Sequence, residues 1–176
     1  MANSVTLTVT LSKVGTKIYD YRFIIDEQLA LPFIDGKNRR VICTFNQKEI
    51  KHCALMPSPE GPFIMADQQL RKKLGIQEGD EIIVEIRKDE SEYGMPVPEE
   101  FSACLEMDPE ADSIFKKLSN GKQRTLIHLV GKIKSSEIKV RRTLAILDHL
   151  KREPEMKDYK GLNETIKEYN RRENLF

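Results

Sequence analysis

A short stretch in the second half of the chain, SNGKQRT at residues 119–125, combines residues that start a helix with basic side chains. A helix that starts at Asn120 or Gly121 leaves the backbone N–H groups of its first turn without helical partners. Lys122 and Arg124 would add positive charge next to these N–H groups and to the positive end of the helix dipole. The stretch therefore predicts a site for phosphate or carboxylate. The alternative is a solvated loop with two flexible cations.

Basic residues continue beyond this predicted helix. Lys132 and Lys134 lie near its end, beside Ser135 and Ser136, which can cap the next helix. We expect one anion-binding surface with these members: Asn120, Gly121, Lys122, Arg124, Lys132 and Lys134. A secondary basic patch follows, made of Lys139, Arg141 and Arg142. Cations at this density could neutralise several phosphates of a nucleic acid. The stretch is not a P-loop, because the second glycine and the preceding strand are missing.

The charge of the chain is divided by segment, although its formal net charge is only +1. Residues 89–112 carry nine acidic and no basic side chains, whereas residues 113–152 carry eleven basic and two acidic ones. The basic segment could bind an anionic partner, either a nucleic acid or an acidic protein. It could also be neutralised by the acidic segment beside it, which would leave a protein-interaction module. Smaller basic groups lie at Arg39-Arg40 and at residues 71–73.

Catalysis, metal binding and disulfides have little support in the sequence. There is no GxSxG motif, and no carboxylate pair stands out from the other acidic residues. The three cysteines show no CxxC spacing and the three histidines lie far apart, so we expect no zinc site and no cofactor. Cys43 and Cys53 could approach each other in a sheet. His128 falls in an apolar helical stripe, where a half-buried structural histidine is the expectation.

The first half of the chain has the period-two pattern of β-strands. Val5, Leu7, Val9 and Leu11 alternate with threonines, and the run KIYDYRFII places Tyr19, Tyr21, Phe23 and Ile25 on one face. The predicted barrel core consists of apolar residues near the end of this half: Leu74, Ile76, Ile82, Val84 and Ile86. Asp67 is a predicted N-cap and Gly75 a predicted C-terminal residue of one short helix. Residues 1–93 are therefore predicted to form a β-barrel of six or seven short strands.

After Pro96 the apolar residues take helical spacing. Two helix starts are predicted at Pro98 and at Asp108-Pro109, and two more helices follow Asn120 and Ser135. The expected helical core contains these residues: Phe115, Leu118, Leu126, Leu129, Val130, Leu144 and Leu147. The fold class is thus α+β, with a helical domain at 96–152 and a partly ordered tail at 153–176.

Two segments carry a resemblance to known families. LRKKLGIQEGDEIIVEI resembles the end of the barrel in the AbrB and MazE group of transcription factors. Together with FKKLSNGKQRTLIHLVGKIKSSEIKVRRTLAILDHLK, it is similar to small bacterial proteins that join a β-barrel to a helical domain described as bacteriocin-protection, YdeI or OmpD-associated. The resemblance implies a split barrel, a short helical bundle and no established enzymatic activity. Family members usually read Glu-Thr-Arg near the last helix start, whereas Ile138 and Lys139 follow Glu137 here.

The sequence thus predicts a non-enzymatic protein that binds an anionic partner through its basic helical segment. Stress or antimicrobial-peptide protection is the role that the resemblance implies. Three alternatives stay open: a protein–protein module, a nucleic-acid-binding regulator by analogy with AbrB, and an unrecognised enzyme. The first residues lack the basic and apolar regions of a leader, and no apolar run could cross a bilayer. We therefore expect a cytoplasmic protein, with a homo-oligomer left open.

Overall fold

The computed structural model describes residues 4–15 and 20–172, and it divides into two compact units. The first unit, Met1–Glu90, contains the β-strands, and the second, Ser91–Phe176, contains the long helices. The protein is therefore α+β, as predicted. Each unit has its own hydrophobic core.

The first unit, called the β unit below, is a six-stranded antiparallel sheet in the order β4-β3-β6-β1-β2-β5. Its strands are β1 (Ser4–Lys13), β2 (Tyr21–Ile24), β3 (Arg40–Phe45), β4 (Glu49–Ala54), β5 (Phe63–Met65) and β6 (Glu81–Lys88). The sheet curls into a half-barrel, and a single bridge between Met56 and Phe63 joins the ends of its two outer strands. The likeness to AbrB stays a prediction.

The period-two pattern explains which side chains fill the half-barrel. In β6, Ile82, Val84 and Ile86 are buried while their neighbours in the strand are exposed or partly exposed. Leu74 and Ile76 are only partly buried but pack against this core. In β1 the alternation also holds: Val9 and Leu11 are buried, whereas Val5 and Leu7 are partly buried. Tyr19 lies outside the described residues.

Short helices complete the β unit. They are α1 (Glu27–Ala30), a 3₁₀ turn (Leu31–Phe33) and α2 (Gln68–Leu74). The predicted caps of α2 are confirmed: Asp67 accepts a hydrogen bond from the backbone N–H of Leu70, and Gly75 ends the helix with a left-handed φ of 66°. A glycine is favoured there because other residues are strained at positive φ.

The second unit, called the helical unit below, is built around one long helix. Its elements are α3 (Glu99–Met107), α4 (Pro109–Lys117), α5 (Asn120–Gly131), α6 (Ser136–Arg152) and α7 (Tyr159–Arg172). α6 contacts each of the other four. Two predicted N-caps are confirmed, since Asp108 accepts from the backbone N–H of Ala111 and Ser135 accepts from that of Ile138. Pro98 lies one residue before α3 rather than inside it.

Most of the predicted helical core is buried, but the placement of Leu144 was wrong. Phe115, Leu126 and Val130 are fully buried, whereas Leu144 is 46% exposed. Thr143 takes the inward position instead, and its hydroxyl donates to the carbonyl of Lys139 at 2.8 Å. A hydroxyl that forms a hydrogen bond within its own helix can be buried at low cost. The polarity of Thr143 therefore did not show that this residue faces inward and Leu144 outward.

The segment expected to be a partly ordered tail contributes a helix. α7 covers most of residues 153–172, and its Leu162 and Ile166 are buried in the helical core together with Met156. Leu162, Ile166 and Tyr169 recur at helical spacing, so one face of α7 is apolar although the segment as a whole is polar. Residues 173–176 lie outside the described part of the chain.

The cores predict the cost of two pairs of substitutions. Ile82→Ala should lower the free energy of unfolding by about 2–4 kcal/mol, because Ile82 is 2% exposed and a cavity would remain. Ile83→Ala, at a 45% exposed neighbour, should cost less than about 1 kcal/mol. Leu126→Ala and Leu144→Ala form the same kind of pair in α5 and α6. Urea titration measures all four, and equal costs within a pair would contradict the assigned faces.

Candidate functional site

The first turn of α5 contains the start of the predicted anion site. Ser119 precedes the helix with extended backbone, but its side chain caps no backbone N–H. Asn120 and Gly121 begin the helix, and Lys122 and Arg124 follow within its first turn and a half. Ser119 therefore leaves the backbone N–H groups of this turn without a side-chain cap, and two basic residues follow in the sequence.

The two cations differ in their surroundings. Lys122 donates a hydrogen bond from its ammonium group to the carbonyl oxygen of Glu155, so one of its three N–H bonds is already used. Arg124 is partly exposed and forms no ion pair with a described residue. The Thr125 hydroxyl donates to the carbonyl of Gly121, four residues earlier in the helix, at 3.0 Å. Arg124 is thus the less constrained of the two cations.

Lys132 and Lys134 lie at the opposite end of α5. Lys132 is the C-cap of the helix and Lys134 follows it, and both are exposed. Ten residues separate Lys122 from Lys132, which corresponds to about 15 Å along a helix axis. A single phosphate could not touch both ends. That all six residues form one surface therefore stays a prediction, and it requires a partner longer than one anionic group.

The secondary patch on α6 is engaged inside the unit. Lys139 lies 3.3 Å from a carboxylate oxygen of Glu100, and Arg141 lies 2.8 Å from Glu137 one turn away. Arg142 is within 3.5 Å of the carbonyl oxygen of Leu129. These three cations are consequently less available to a partner than Arg124, Lys132 and Lys134.

Acidic residues of the segment 89–112 face basic residues of the segment 113–152. Asp108 pairs with Lys151 at 2.7 Å, and Asp112 pairs with Lys116 at 2.6 Å. The Lys151 hydrogen bond and the backbone N–H of Ala111 hold the pKa of Asp108 below its ordinary value. The carboxylate of Asp108 in turn raises the pKa of Lys151. Part of the basic segment is therefore neutralised internally.

The helical unit, which contains this geometry, also contains a match to a known protein family. Residues 94–153 match the family described as Bacteriocin-protection, YdeI or OmpD-Associated. The match begins shortly before α3 and ends just after α6, so it includes every residue of the predicted anion site. It covers about a third of the chain and supports the family for this part. A search of curated proteins found no match.

Two clefts were not predicted from the sequence. In the helical unit, a cleft of about 460 Å³ has a floor of Phe101 and Phe115 and a rim that includes Glu92 and Glu106. Burial and a hydrogen bond with Glu92 raise the pKa of Tyr93, at the same cleft, to about 12. Only the spacing of acidic residues around aromatic ones could have suggested this cleft.

In the β unit, a cleft of about 300 Å³ opens beside the outer strands β4 and β5. We call it the barrel cleft, and its lining includes Arg40, Lys51, Cys53, Met65 and Asp67. Lys51 and Asp67 form an ion pair across it. Nothing in the sequence pattern brings these residues together, because they come from three strands and from the N-cap of α2.

The histidines also differ from expectation. His128 is exposed rather than half-buried. His149 is the buried one, at 5% exposure, and its Nε2 has no hydrogen-bond partner among the described residues. His52 lies 2.7 Å through Nδ1 from the fully buried carboxylate of Asp89. Neither His52 nor His149 was singled out by the sequence pattern.

Among residues 4–15 and 20–172, no group of three or more His, Cys, Asp and Glu side chains could hold a metal ion. Over the same residues, no helix is long and apolar enough to cross a membrane.

The basic group at residues 71–73 of the β unit is partly engaged in contacts within the unit. The Arg71 guanidinium lies 3.8 Å from the centre of the Tyr21 ring, and Lys73 pairs with Glu49.

The ion pair at Asp108 predicts a pH-dependent stability. Folding lowers the pKa of the Asp108 carboxyl. The contribution of the pair to the free energy of unfolding is therefore present above the unfolded pKa of about 3.9, and it is lost as the pH falls through the folded pKa. Asp108→Ala removes both the cap and the pair and should cost about 1 kcal/mol at neutral pH. Asp108→Asn keeps a capping oxygen and should cost less. Urea titrations from neutral to acidic pH should show the cost of Asp108→Asn shrinking; a cost independent of pH would contradict the pair.

Proposed function

We propose that the protein is a non-enzymatic binding protein whose helical unit holds an anionic partner along α5. The observation that carries the proposal is the first turn of α5, where Ser119 makes no side-chain cap and where Lys122 and Arg124 follow within one and a half turns. Such a turn attracts a negative group through both its N–H donors and its dipole. Cations there are otherwise unfavourable, so an anion would stabilise them.

The length of α5 favours an extended partner. The cations at its two ends are separated by about 15 Å, which is several phosphate spacings of a nucleic-acid strand. A strand of nucleic acid or an acidic protein segment could contact both ends at once. Affinity from several such contacts falls steeply with salt, because counterions are released on binding.

A second candidate function is a protein–protein module with internally neutralised charge. Three pairs support it, since Glu100, Asp108 and Asp112 each face a lysine of the basic segment. α6 also exposes Val140 and Leu144, which are one turn apart on the same face. Binding through this face would depend little on salt, and this difference separates the two candidates.

The family match favours a protective role. Its description includes bacteriocin protection, and it covers the helices that carry the proposed site. We propose that the anion-binding surface contributes to this protective role. The bound partner would be a nucleic acid or an acidic protein, and the location would be the cytoplasm. The AbrB-like half of the resemblance makes a nucleic-acid-binding regulator one form of this proposal.

A direct test is the binding of a fluorescent single-stranded oligonucleotide to the full chain, followed by fluorescence anisotropy at several salt concentrations. We expect binding in low salt and a log–log slope of a few units. The variant with Lys122→Ala and Arg124→Ala should reduce the slope by about one to two.

The matched control replaces two exposed lysines of α7, Lys160→Ala and Lys167→Ala, which removes the same charge elsewhere. This control should keep the wild-type slope. Equal loss in both variants would mean that net charge rather than α5 governs binding. The absence of binding at low salt would exclude the nucleic-acid partner, and binding of polyglutamate would then test the acidic-protein form.

The protective role has its own measurement. Bacteria that express the wild-type chain should survive a higher bacteriocin dose than bacteria that express the variant at Lys122 and Arg124. The α7 control should protect like the wild type, provided that both variants accumulate to the same level. If bacteria with all three chains survived equally, the α5 surface would not be the source of any protection.

A further inference from the structure

Two of the three cysteines lie side by side in the β unit. Cys43 is on β3 and Cys53 is on the neighbouring antiparallel strand β4. The register pairs Cys43 with Lys51 and Val41 with Cys53, so the two cysteines are diagonal neighbours. Both side chains belong to the core of the half-barrel and therefore point to the same face of the sheet.

The two thiols contact each other but differ in their access to solvent. They lie close enough for each thiol to shift the pKa of the other. Cys43 is fully buried, whereas Cys53 is 8% exposed and lines the barrel cleft. A small solute in the cleft would therefore meet Cys53 before it met Cys43.

The surroundings of Cys53 favour its thiolate. The S–H of Cys43 and the nearby cations Lys51 and Arg40 lower the pKa of Cys53, while burial opposes them. The same contact with Cys53 raises the pKa of Cys43, as does its burial. Within the pair, Cys53 is therefore the more acidic sulfur, and Cys43 is the less acidic and more deeply covered one. The thiolate is the form that reacts with oxidants.

We propose that Cys43 and Cys53 are a peroxide-reactive pair that forms a reversible disulfide, with Cys53 oxidised first. The Cys53 thiolate attacks one oxygen of hydrogen peroxide, the O–O bond breaks, and hydroxide leaves, so that Cys53 becomes a sulfenic acid. The sulfur of Cys43 then attacks the Cys53 sulfur, and the sulfenic oxygen leaves as water with the thiol proton. Two electrons pass from the two cysteines to one peroxide.

The diagonal geometry favours reversibility. Diagonal neighbours on adjacent strands have Cα atoms about 7–8 Å apart, whereas disulfides prefer about 4.4–6.8 Å. The bond would draw β3 and β4 together at this point, and strained disulfides are more easily reduced. A small dithiol should therefore restore both cysteines.

The test treats the folded full-length protein with hydrogen peroxide at neutral pH, blocks the remaining thiols and maps tryptic peptides by mass spectrometry. We expect a disulfide that links the peptides 41–48 and 52–71 and that disappears after treatment with dithiothreitol. Cys104, the one cysteine of residues 91–176, is 9% exposed, about as much as Cys53, but burial and Glu100 raise its pKa, so it provides an internal reference matched in exposure. It should react at least about tenfold more slowly than Cys53.

Single variants assign the order of the two steps. In Cys43→Ala, the sulfenic acid of Cys53 should accumulate and be trapped by dimedone. In Cys53→Ala, loss of the Cys43 thiol should be slower than in the wild type by about tenfold or more. The wild-type peptide map does not require either variant to fold. The proposal is overturned if no linked peptide forms while the thiols are consumed, or if Cys53 reacts no faster than Cys104.

Discussion

Burial of one face of α6 is the constraint on which the helical unit depends. Ile146, Leu147 and Leu150 of this helix are buried, and α3, α4, α5 and α7 all pack against it. Helices of nine to fourteen residues are marginal on their own, so their stability comes from this shared contact. The position of α5, and with it the direction of its first turn, follows from the packing of Leu126 and Val130 in the same core.

The same packing arranges the charges. α3 and α4 carry most of the acidic segment, and because both lie against α6, their carboxylates at Glu100 and Asp108 come within reach of Lys139 and Lys151. These pairs are partly exposed, so each contributes little to stability. Their larger effect is on the distribution of charge. They cancel part of the positive charge on α6.

Local signals in the sequence predicted the elements well, since caps such as Asp67, Asp108 and Ser135 act through neighbours a few residues away. The period-two pattern also predicted the buried face of β6. Long-range consequences were harder to predict. The outward position of Leu144 depends on Thr143 satisfying its own hydroxyl, and the burial of α7 depends on three apolar residues in a polar segment. The contact of Cys43 with Cys53 depends on strand register, and the barrel cleft depends on the curl of the sheet, so a single sequence could only leave both open.

The bridge between Met56 and Phe63 has a consequence for association between molecules. An outer strand of an open sheet presents unpaired N–H and C=O groups, which can template pairing with another chain. In the β unit the curl brings the two outer strands, β4 and β5, towards each other, and the bridge pairs part of these two borders within one molecule. The rest of the β4 border carries Glu49 and Lys51, both in ion pairs, and charged side chains at a border oppose strand addition. We therefore expect the half-barrel to resist strand pairing between molecules although it does not close completely, and the barrel cleft lies where its two outer strands remain apart.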